Sequence, residues 1–366
     1  MRKSITHWIV VAILFGVLFI APFFLNDFRI NLMGKFLTYA IVAVALDLIW
    51  GYGGMLSLGQ GLFFSLGAYA LAMHLKLQNS GTSLPDFMVW SGVETLPAIW
   101  APFANPVFAL AMVVVVPTVF AFIIGYFIFR SRVQGVYFSI ISQALTLIFS
   151  LLFIGQQPLT GGTNGLTDIQ QVFGFTRADP MFLRNMYFLS LVILLLAYLA
   201  CWQVIHSRFG RLLIATRDDE SRVRFLGFNP VIVKTLVFGF SAALTGIAGA
   251  LYVIQDGIIS PAQMGVRPSI EMVIWTAVGG RGTLLGGIVG ALTVGWAKSL
   301  ISADYPEIWE MIFGALFLLS VLFLPRGIVG TVQHLFRQIV RSNESDTRTK
   351  TADDGSTPPA QGEVSV

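Results

Sequence analysis

Few residues in this sequence carry chemistry, and their spacing excludes more than it offers. His7, His74, His206 and His334 are scattered, without the short spacings of a metal-ligand set. The single cysteine, Cys201, lies in an apolar run, so neither an intrachain disulfide nor a Cys-based metal site can form. Gly290, Gly295, Lys298 and Ser299 have a superficial likeness to a phosphate-binding loop. There the lysine must follow the second glycine, however, and Trp296 occupies that place within an apolar segment. The glycines of 280–287 follow no strand and give no dinucleotide fingerprint, and no Ser/His/Asp set or paired carboxylate can be assembled. No catalytic residue and no metal ligand is expected. What remains are neutral hydrogen-bonding side chains, Ser57, Gln60, Gln143 and Thr146 in apolar segments and Asn164 in a turn of an outer loop. Such groups make and release hydrogen bonds to a polar solute, which suits a path rather than a reaction.

One run is different in kind. Ser207 to Lys234, SRFGRLLIATRDDESRVRFLGFNPVIVK, sets Arg208, Arg211, Arg217, Arg222 and Arg224 against Asp218, Asp219 and Glu220. Its interior reads as a short helix with explicit ends. Asp218 is the expected N-cap, and Asp219 and Glu220 place negative charge at the positive end of the dipole. Gly227 suits the left-handed residue after the last turn, and Pro230 the first turn of the next helix. A helix of about eight residues is roughly 12 Å long and unstable alone in water. Held between two apolar segments, it would present Val223, Phe225, Leu226 and Phe228 to a partner. The alternative is a solvated loop between helices, the usual meaning of a charge run.

The elements that position these residues follow from composition. Of 366 residues 55% are hydrophobic and only 11% charged, against about 25% charged in a soluble domain. The expected fold is all-α, a polytopic membrane bundle of about ten transmembrane or re-entrant segments with both termini cytoplasmic. The net charge of +4 reflects basic membrane-facing loops and argues for no nucleic-acid partner. The run Trp8–Leu25 is long for a signal peptide and lacks a small-x-small cleavage site, so it reads as the first membrane helix, followed by Gly34–Trp50. Next, 51–75 crowds Gly51, Gly53, Gly54, Gly59, Gly61 and Gly67 with Ser57, Gln60 and Ser65, the mark of a helix that breaks within protein at membrane depth. A crossing near Phe63–Leu77 follows it. Residues 78–105 contain no Lys or Arg and are expected outside. Further helices are expected at Pro106–Phe129, Val136–Ile154, Met186–Ile205 and Thr235–Gln255, with a second outer loop at 155–185 and an outer connection at 257–268. Glu271–Val278 and Leu284–Lys298 read as two short segments turning at Arg281. A helix Ile308–Leu324 and a disordered tail from Asn343 complete the chain.

Together LDLIWGYGGMLSLGQGLFFSLGAYA, TGGTNGLTDI, GRLLIATRDDESRVRFLGFNP, SAALTGIAGALY and GGRGTLLGG resemble the permease subunits of ABC importers for branched-chain amino acids. The likeness covers most of 32–330 in the family's order, leaving 1–31 as a first helix with its outer connection and 331–366 as a cytoplasmic tail. Within it, LPDFMVW, ETLPAIW and NGLTD look most like the permease of the urea-transport branch. The resemblance implies a multi-pass protein of the bacterial inner membrane that is not itself an enzyme. It also implies a second homologous permease, two cytoplasmic ATPase subunits that bind ATP and Mg, and an extracytoplasmic binding protein. No cofactor is expected in this chain. The family's coupling segment matches Ala215–Pro230, carrying Arg217, Asp218, Asp219, Glu220, Arg222, Phe225, Gly227 and Phe228. Gln60 stands where many relatives are expected to have His. Urea is the expected substrate and a branched-chain amino acid the alternative; a stand-alone channel or carrier is a third reading, with less reason for a capped cytoplasmic helix.

Overall fold

A computed structural model describes residues 2–81 and 83–304, and beyond them 311–312, 314–315, 318 and 327–331. The expected helix at 308–324 and the tail lie largely or wholly outside the described residues. In order, α1 spans Arg2–Ile20, α2 Asp27–Asp47, α3 Gln60–Ser80, α4 Asp86–Trp90, α5 Pro106–Arg130, α6 Val136–Gly155 and α7 Gln157–Thr160. A two-stranded hairpin, β1 Gln171–Val172 and β2 Phe175–Thr176, precedes α8 Pro180–His206, α9 Arg208–Asp218, α10 Glu220–Phe225, α11 Pro230–Asp256, α12 Val266–Gly279 and α13 Leu284–Asp304. Local signals set many of the starts. Asn105, Asp179 and Asn229 each accept a backbone N–H as N-cap, and each is followed by proline at the first helical position. For that reason α8 begins at Pro180 and α11 at Pro230, earlier than the apolar run alone predicts; Arg184 stays exposed in the first turns of α8.

Seven helices among the described residues are long and apolar enough to cross a membrane: α1, α2 with its continuation to Tyr52, α5, α6, α8, α11 and α13. The long segments of α2 and α11 are 83% buried, whereas those of α1, α5 and α6 are 17–28% buried. The bundle therefore has an α2/α11 centre, and its outer helices turn apolar faces such as Leu110, Ile123, Ile148 and Leu151 outward, an arrangement suited to lipid rather than water. Close approach is built from glycine. A Cβ on Gly249 would lie 1.9 Å from the Phe64 carbonyl oxygen, and one on Gly67 2.2 Å from that of Gly246, so α3 and α11 cross backbone to backbone.

The two ends of the bundle are distinct. At one, the connections gather into a cap: Leu166 bridges Ile259, Trp100 Nε1 donates to the Leu159 carbonyl at 3.0 Å, and Lys76 Nζ donates to the Thr167 carbonyl at 2.9 Å. Beside it, Asp86 pairs with Lys76 at 2.9 Å; burial pushes its carboxyl up, but the Lys76 hydrogen bond and charge outweigh this and hold it below its ordinary value. At the other end, Arg217 reaches the Gly51 carbonyl, Gln134 reaches Glu220 and the Gly282 N–H donates to Asp47 Oδ1 at 2.6 Å. The segments read as outer and inner from their basic residues thus segregate to opposite ends.

Two helices start within the bundle. After Tyr52 the chain is non-helical to Gly59, and α3 begins at Gln60, so the glycine-rich break is present. The 257–265 connection dips inward from the cap, where Ser150 Oγ donates to the Pro261 carbonyl at 3.0 Å. The Gly61 N–H then donates to Ser269 Oγ at 3.1 Å, which joins the start of α3 to that of α12. With 14 residues, α12 is roughly 21 Å long, short of a span. The turn at Gly280–Thr283 lies where Arg281 was expected to turn the chain. Its second arm is a correction: α13 has 21 residues and is not a short segment. The glycines of α13 serve close packing on α12, since a Cβ on Gly290 would lie 1.9 Å from the Trp275 carbonyl oxygen.

Candidate functional site

The charged run folds into an elbow of two short helices between α8 and α11. Ser207 opens α9, its Oγ accepting from the Gly210 N–H at 3.1 Å, and Leu213 and Thr216 are buried. The N-cap of α10 is Asp219, whose Oδ1 accepts from the N–H groups of Ser221 at 3.0 Å and Arg222 at 3.2 Å. Asp218, the N-cap expected from sequence, instead closes α9. With two adjacent aspartates, the deciding factor is φ/ψ: Asp219 is extended and Asp218 helical. At the other end the Phe228 N–H reaches the Val223 carbonyl at 3.2 Å and the Gly227 N–H the Arg224 carbonyl at 2.9 Å. These bonds make a Schellman turn, with Gly227 left-handed at φ +85°.

Glu220 locks the elbow to the bundle. Its carboxylate accepts from Lys234 Nζ of α11 at 2.5 Å, Arg224 at 2.6 Å and Gln134 Nε2 at 2.5 Å. Burial pushes this carboxyl up, yet the Lys234 and Arg224 contacts outweigh it and hold the group below its ordinary value. Arg217 donates to the Gly51 carbonyl at 2.9 Å and pairs with Asp218 at 2.8 Å, and Arg222 pairs with Asp219 at 2.9 Å. Held this way, the elbow shows Phe225 (92% exposed), Leu226 (75%) and Phe228 (52%) to solvent. Val223, expected among them, is 2% exposed and faces inward. On a six-residue helix gripped from one side, one residue of such a cluster must turn into the grip.

The neutral polar residues fall into two places. Ser57 and Gln60 belong to a buried seam between the 53–59 stretch, α6 and α11. Ser139 Oγ donates to the Leu56 carbonyl at 2.7 Å, Ser142 Oγ accepts from the Leu58 N–H at 3.0 Å, and Ser57 Oγ accepts from the Gly59 N–H at 3.2 Å. Gln60 Oε1 accepts from Thr245 Oγ1 at 3.0 Å. Its Nε2 is buried and, among the described residues, lacks a hydrogen-bond partner. Thr146 is buried and returns its hydroxyl to the Gln143 carbonyl at 2.7 Å, while Gln143 itself is half-buried. Asn164 is exposed in the turn at the cap, away from the seam.

The family described as branched-chain amino acid transport system / permease component matches residues 28–321. The chain belongs to that family. The high-affinity branched-chain amino acid transport system permease protein LivM of Salmonella typhimurium is 27% identical, over 84% of this chain and 71% of its own. BraD of Pseudomonas aeruginosa, which carries the same description, is 24% identical over 80% and 92%, and LivH of Escherichia coli 26% over 80% and 91%. No solved structure matches the permease significantly. The chain is a multi-pass permease of the inner membrane and not itself an enzyme.

Sequence reasoning missed the partners that hold the permease's elbow. Gln134 and Lys234 stand 86 and 14 residues from Glu220. A lone lysine in the first turns of a long apolar helix was the available signal, because such a charge needs a partner.

Proposed function

We propose that this permease imports branched-chain amino acids as one of two transmembrane subunits of an ATP-driven transporter, and that α10 is its contact with an ATPase subunit. The observation that carries the coupling role is the elbow. A six-residue helix has no stability of its own, yet this one is capped, closed by a Schellman turn and clamped by Glu220, and it holds three large apolar side chains in water. A loop that only connects two helices needs none of that, whereas a docking element needs all of it. Arg217, Asp218, Asp219, Glu220, Arg222 and Gly227 set its shape, and Phe225 and Phe228 make the contact. In the same reading a second homologous permease completes the path and two ATPases bind ATP and Mg. An extracytoplasmic binding protein delivers substrate to the cap formed by 78–105 and 155–185, and this chain needs no cofactor. Ser57, Gln60, Gln143, Thr146 and Asn164 are the candidate path residues. The transport role of the relatives named above supports a branched-chain amino acid over urea, the substrate to which the outer-loop likeness pointed.

The test is uptake by the reconstituted complex with its binding protein, using labelled leucine and urea in competition. Leucine should be imported in an ATP-dependent manner and urea should not compete. Urea import resisting excess leucine would overturn the substrate, and transport by this chain alone in liposomes would overturn the coupling.

A further inference from the structure

Beside the elbow lies a basic pocket of about 380 Å³ that the polar seam does not include. Arg130 and Arg132 line it from the end of α5, Arg224, Gly227 and Phe228 from the elbow, and Asn229 from the start of α11. No acidic side chain lines it among the described residues. Arg130 donates to the neutral hydroxyl of Tyr126 at 3.2 Å and lies over that ring at 5.7 Å. Arg132 makes no ion pair among the described residues. Arg224 meets Glu220 at 2.6 Å, but Lys234 holds the other oxygen of that carboxylate at 2.5 Å. The adjacent Asp218 and Asp219 are already paired with Arg217 and Arg222. Among the described residues, Glu220 is therefore set alone against Arg130, Arg132, Arg224 and Lys234, an excess of positive charge that calls for an anion.

The backbone singles out Arg132. Its N–H reaches the Phe129 carbonyl at 3.1 Å and the Val133 N–H that of Ile128 at 3.4 Å, the same Schellman pattern that closes α10. Gly227 holds the left-handed position there, whereas at the end of α5 it is Arg132, at φ +56°, where L side chains are rarely found. A side chain kept where glycine would sit without strain points to function rather than folding. Away from the elbow the surface beside the pocket turns apolar. Arg130, Phe127 and Ile123 recur at three- and four-residue spacing on one face of α5, and Phe127 and Ile123 are exposed. Ile232 and Leu236, four apart on α11 just past the lining residue Val231, are exposed as well. A free anion would use the arginines alone, and so would an acidic side chain of a partner protein. An anion that carries hydrocarbon chains uses the arginines and the apolar faces together.

We propose that this pocket binds the headgroup of an anionic phospholipid. Arg130, Arg132 and Arg224 hold its phosphate, and its acyl chains lie along Phe127 and Ile123 of α5 and Ile232 and Leu236 of α11. Because Arg224 belongs to α10 and the other two arginines to the end of α5, the bound lipid ties the elbow to α5 and steadies it. The site rests on the coupling reading above only in placing this end of the bundle at the cytoplasmic leaflet.

The experiment is lipid binding to the complete transporter, purified in detergent and stripped of lipid, read by native mass spectrometry. The probes are dioleoyl phosphatidylglycerol, dioleoyl phosphatidylcholine with the same chains but no net charge, and inorganic phosphate. Phosphatidylglycerol should bind about tenfold or more tightly than phosphatidylcholine, and inorganic phosphate at equal concentration should not displace it. Each arginine facing an anionic lipid is worth about fivefold. The double variant Arg130→Gln, Arg132→Gln should therefore weaken phosphatidylglycerol about 25-fold and leave phosphatidylcholine unchanged. Arg184→Gln, which removes an exposed arginine near the opposite end of the bundle, should alter neither. Phosphatidylglycerol should also slow hydrogen exchange over 218–228 in the unaltered complex and not in the double variant. The lipid series on the unaltered complex needs no variant to fold, and size exclusion reports assembly of the two that are made. Equal binding of the two lipids, or equal losses in the double variant and Arg184→Gln, would overturn the site. Displacement by inorganic phosphate would overturn a lipid as its occupant. So would binding to this chain that vanishes when the ATPases are present, which would assign the arginines to an acidic surface of the partner. None of these measurements reads transport or ATP hydrolysis, so an uncoupled α10 would show in stimulated ATPase activity and leave the lipid result standing.

Discussion

Replacing Gly227 with valine should uncouple the permease without unfolding it. A Cβ at this position meets nothing within 4 Å, so the substitution brings no clash and removes no contact. What it changes is backbone preference: Gly227 sits at φ +85°, where an L-residue pays about 1–2 kcal/mol and a β-branched one is a genuine outlier. One or two kcal/mol is a factor of roughly 5–30 in a two-state ratio. The Schellman bonds from the Phe228 and Gly227 N–H groups would therefore open in much of the population, and Phe225 and Phe228 would lose their fixed aim. Stimulated ATPase activity of the purified complex with liganded binding protein should fall several-fold, while size exclusion shows the complex assembled. Asparagine tolerates left-handed backbone, so Gly227→Asn should keep most of the activity. Full stimulated ATPase and uptake in an assembled Gly227→Val complex would refute the reasoning, and equal losses in Asn and Val variants would show that φ is not the cause.

Other consequences can be checked separately. In a background lacking the buried Cys201, cysteines at Ser91 and Thr163 should be labelled from outside by an impermeant thiol reagent and one at Ser221 should not; labelling of Ser221 from outside would invert the topology. Gln60→Leu removes a buried amide whose Nε2 is unpartnered among the described residues, so thermal stability should hold or rise while uptake falls; unchanged uptake would remove Gln60 from the path. Glu220 has its carboxyl held low by Lys234 and Arg224, so its stabilisation is complete above the ordinary carboxylate range and is lost as pH falls through the lowered value. Coupling should therefore be flat from pH 8 to about 5. Glu220→Gln should lower it across that whole range, by roughly 1–3 kcal/mol of elbow stability, read as faster hydrogen exchange over 218–228.

How legible this was depended on the range of the interaction. The helix start at Pro106, the first-turn role of Pro230 and the stop at Gly227 are written in adjacent residues because a cap satisfies groups within one turn; Asp179-Pro180 is written the same way, but the apolar run drew the expected start to Met186. The glycine-rich break at 53–59 was legible for a related reason, since a Cβ on Gly53 would lie 2.7 Å from the Ile49 carbonyl oxygen and one on Gly59 2.9 Å from that of Ser142. Choices between neighbours were not legible. Asp218 and Asp219 carry the same side chain, and only the path from α9 decides which is extended. Val223 resembles Phe225 until α9 and α11 close on one face of α10. The polar residues show the same limit: spacing cannot distinguish a hydroxyl lining a path from one that returns to its own helix, as Thr146 does. The aromatic cluster in which Tyr39 stacks on Trp275 and Tyr252, and Phe64 meets Tyr252, was invisible for a simpler reason, because its members are spread over more than two hundred positions.

The elbow and the interior are joined by bonds whose kinds suit transmission. Arg217 ties α9 to the Gly51 carbonyl, and Asp47, one turn earlier on α2, holds the Gly282 N–H at the turn between α12 and α13. From Gly51 the chain continues through the non-helical 53–59 stretch to the start of α3, which meets the start of α12 at Gly61 and Ser269. On the proposed coupling, a displacement of α10 is delivered to both ends of α12, at its C-terminal turn through Asp47 and at its first turn through α3. The 53–59 stretch is held by side-chain bonds from Ser139 and Ser142 rather than by a helical ladder. Such bonds can be exchanged one at a time, whereas shifting a continuous helix would move a whole packed face. A short helix attached at both ends to movable connections is the element of this bundle best placed to shift when the far end is pulled.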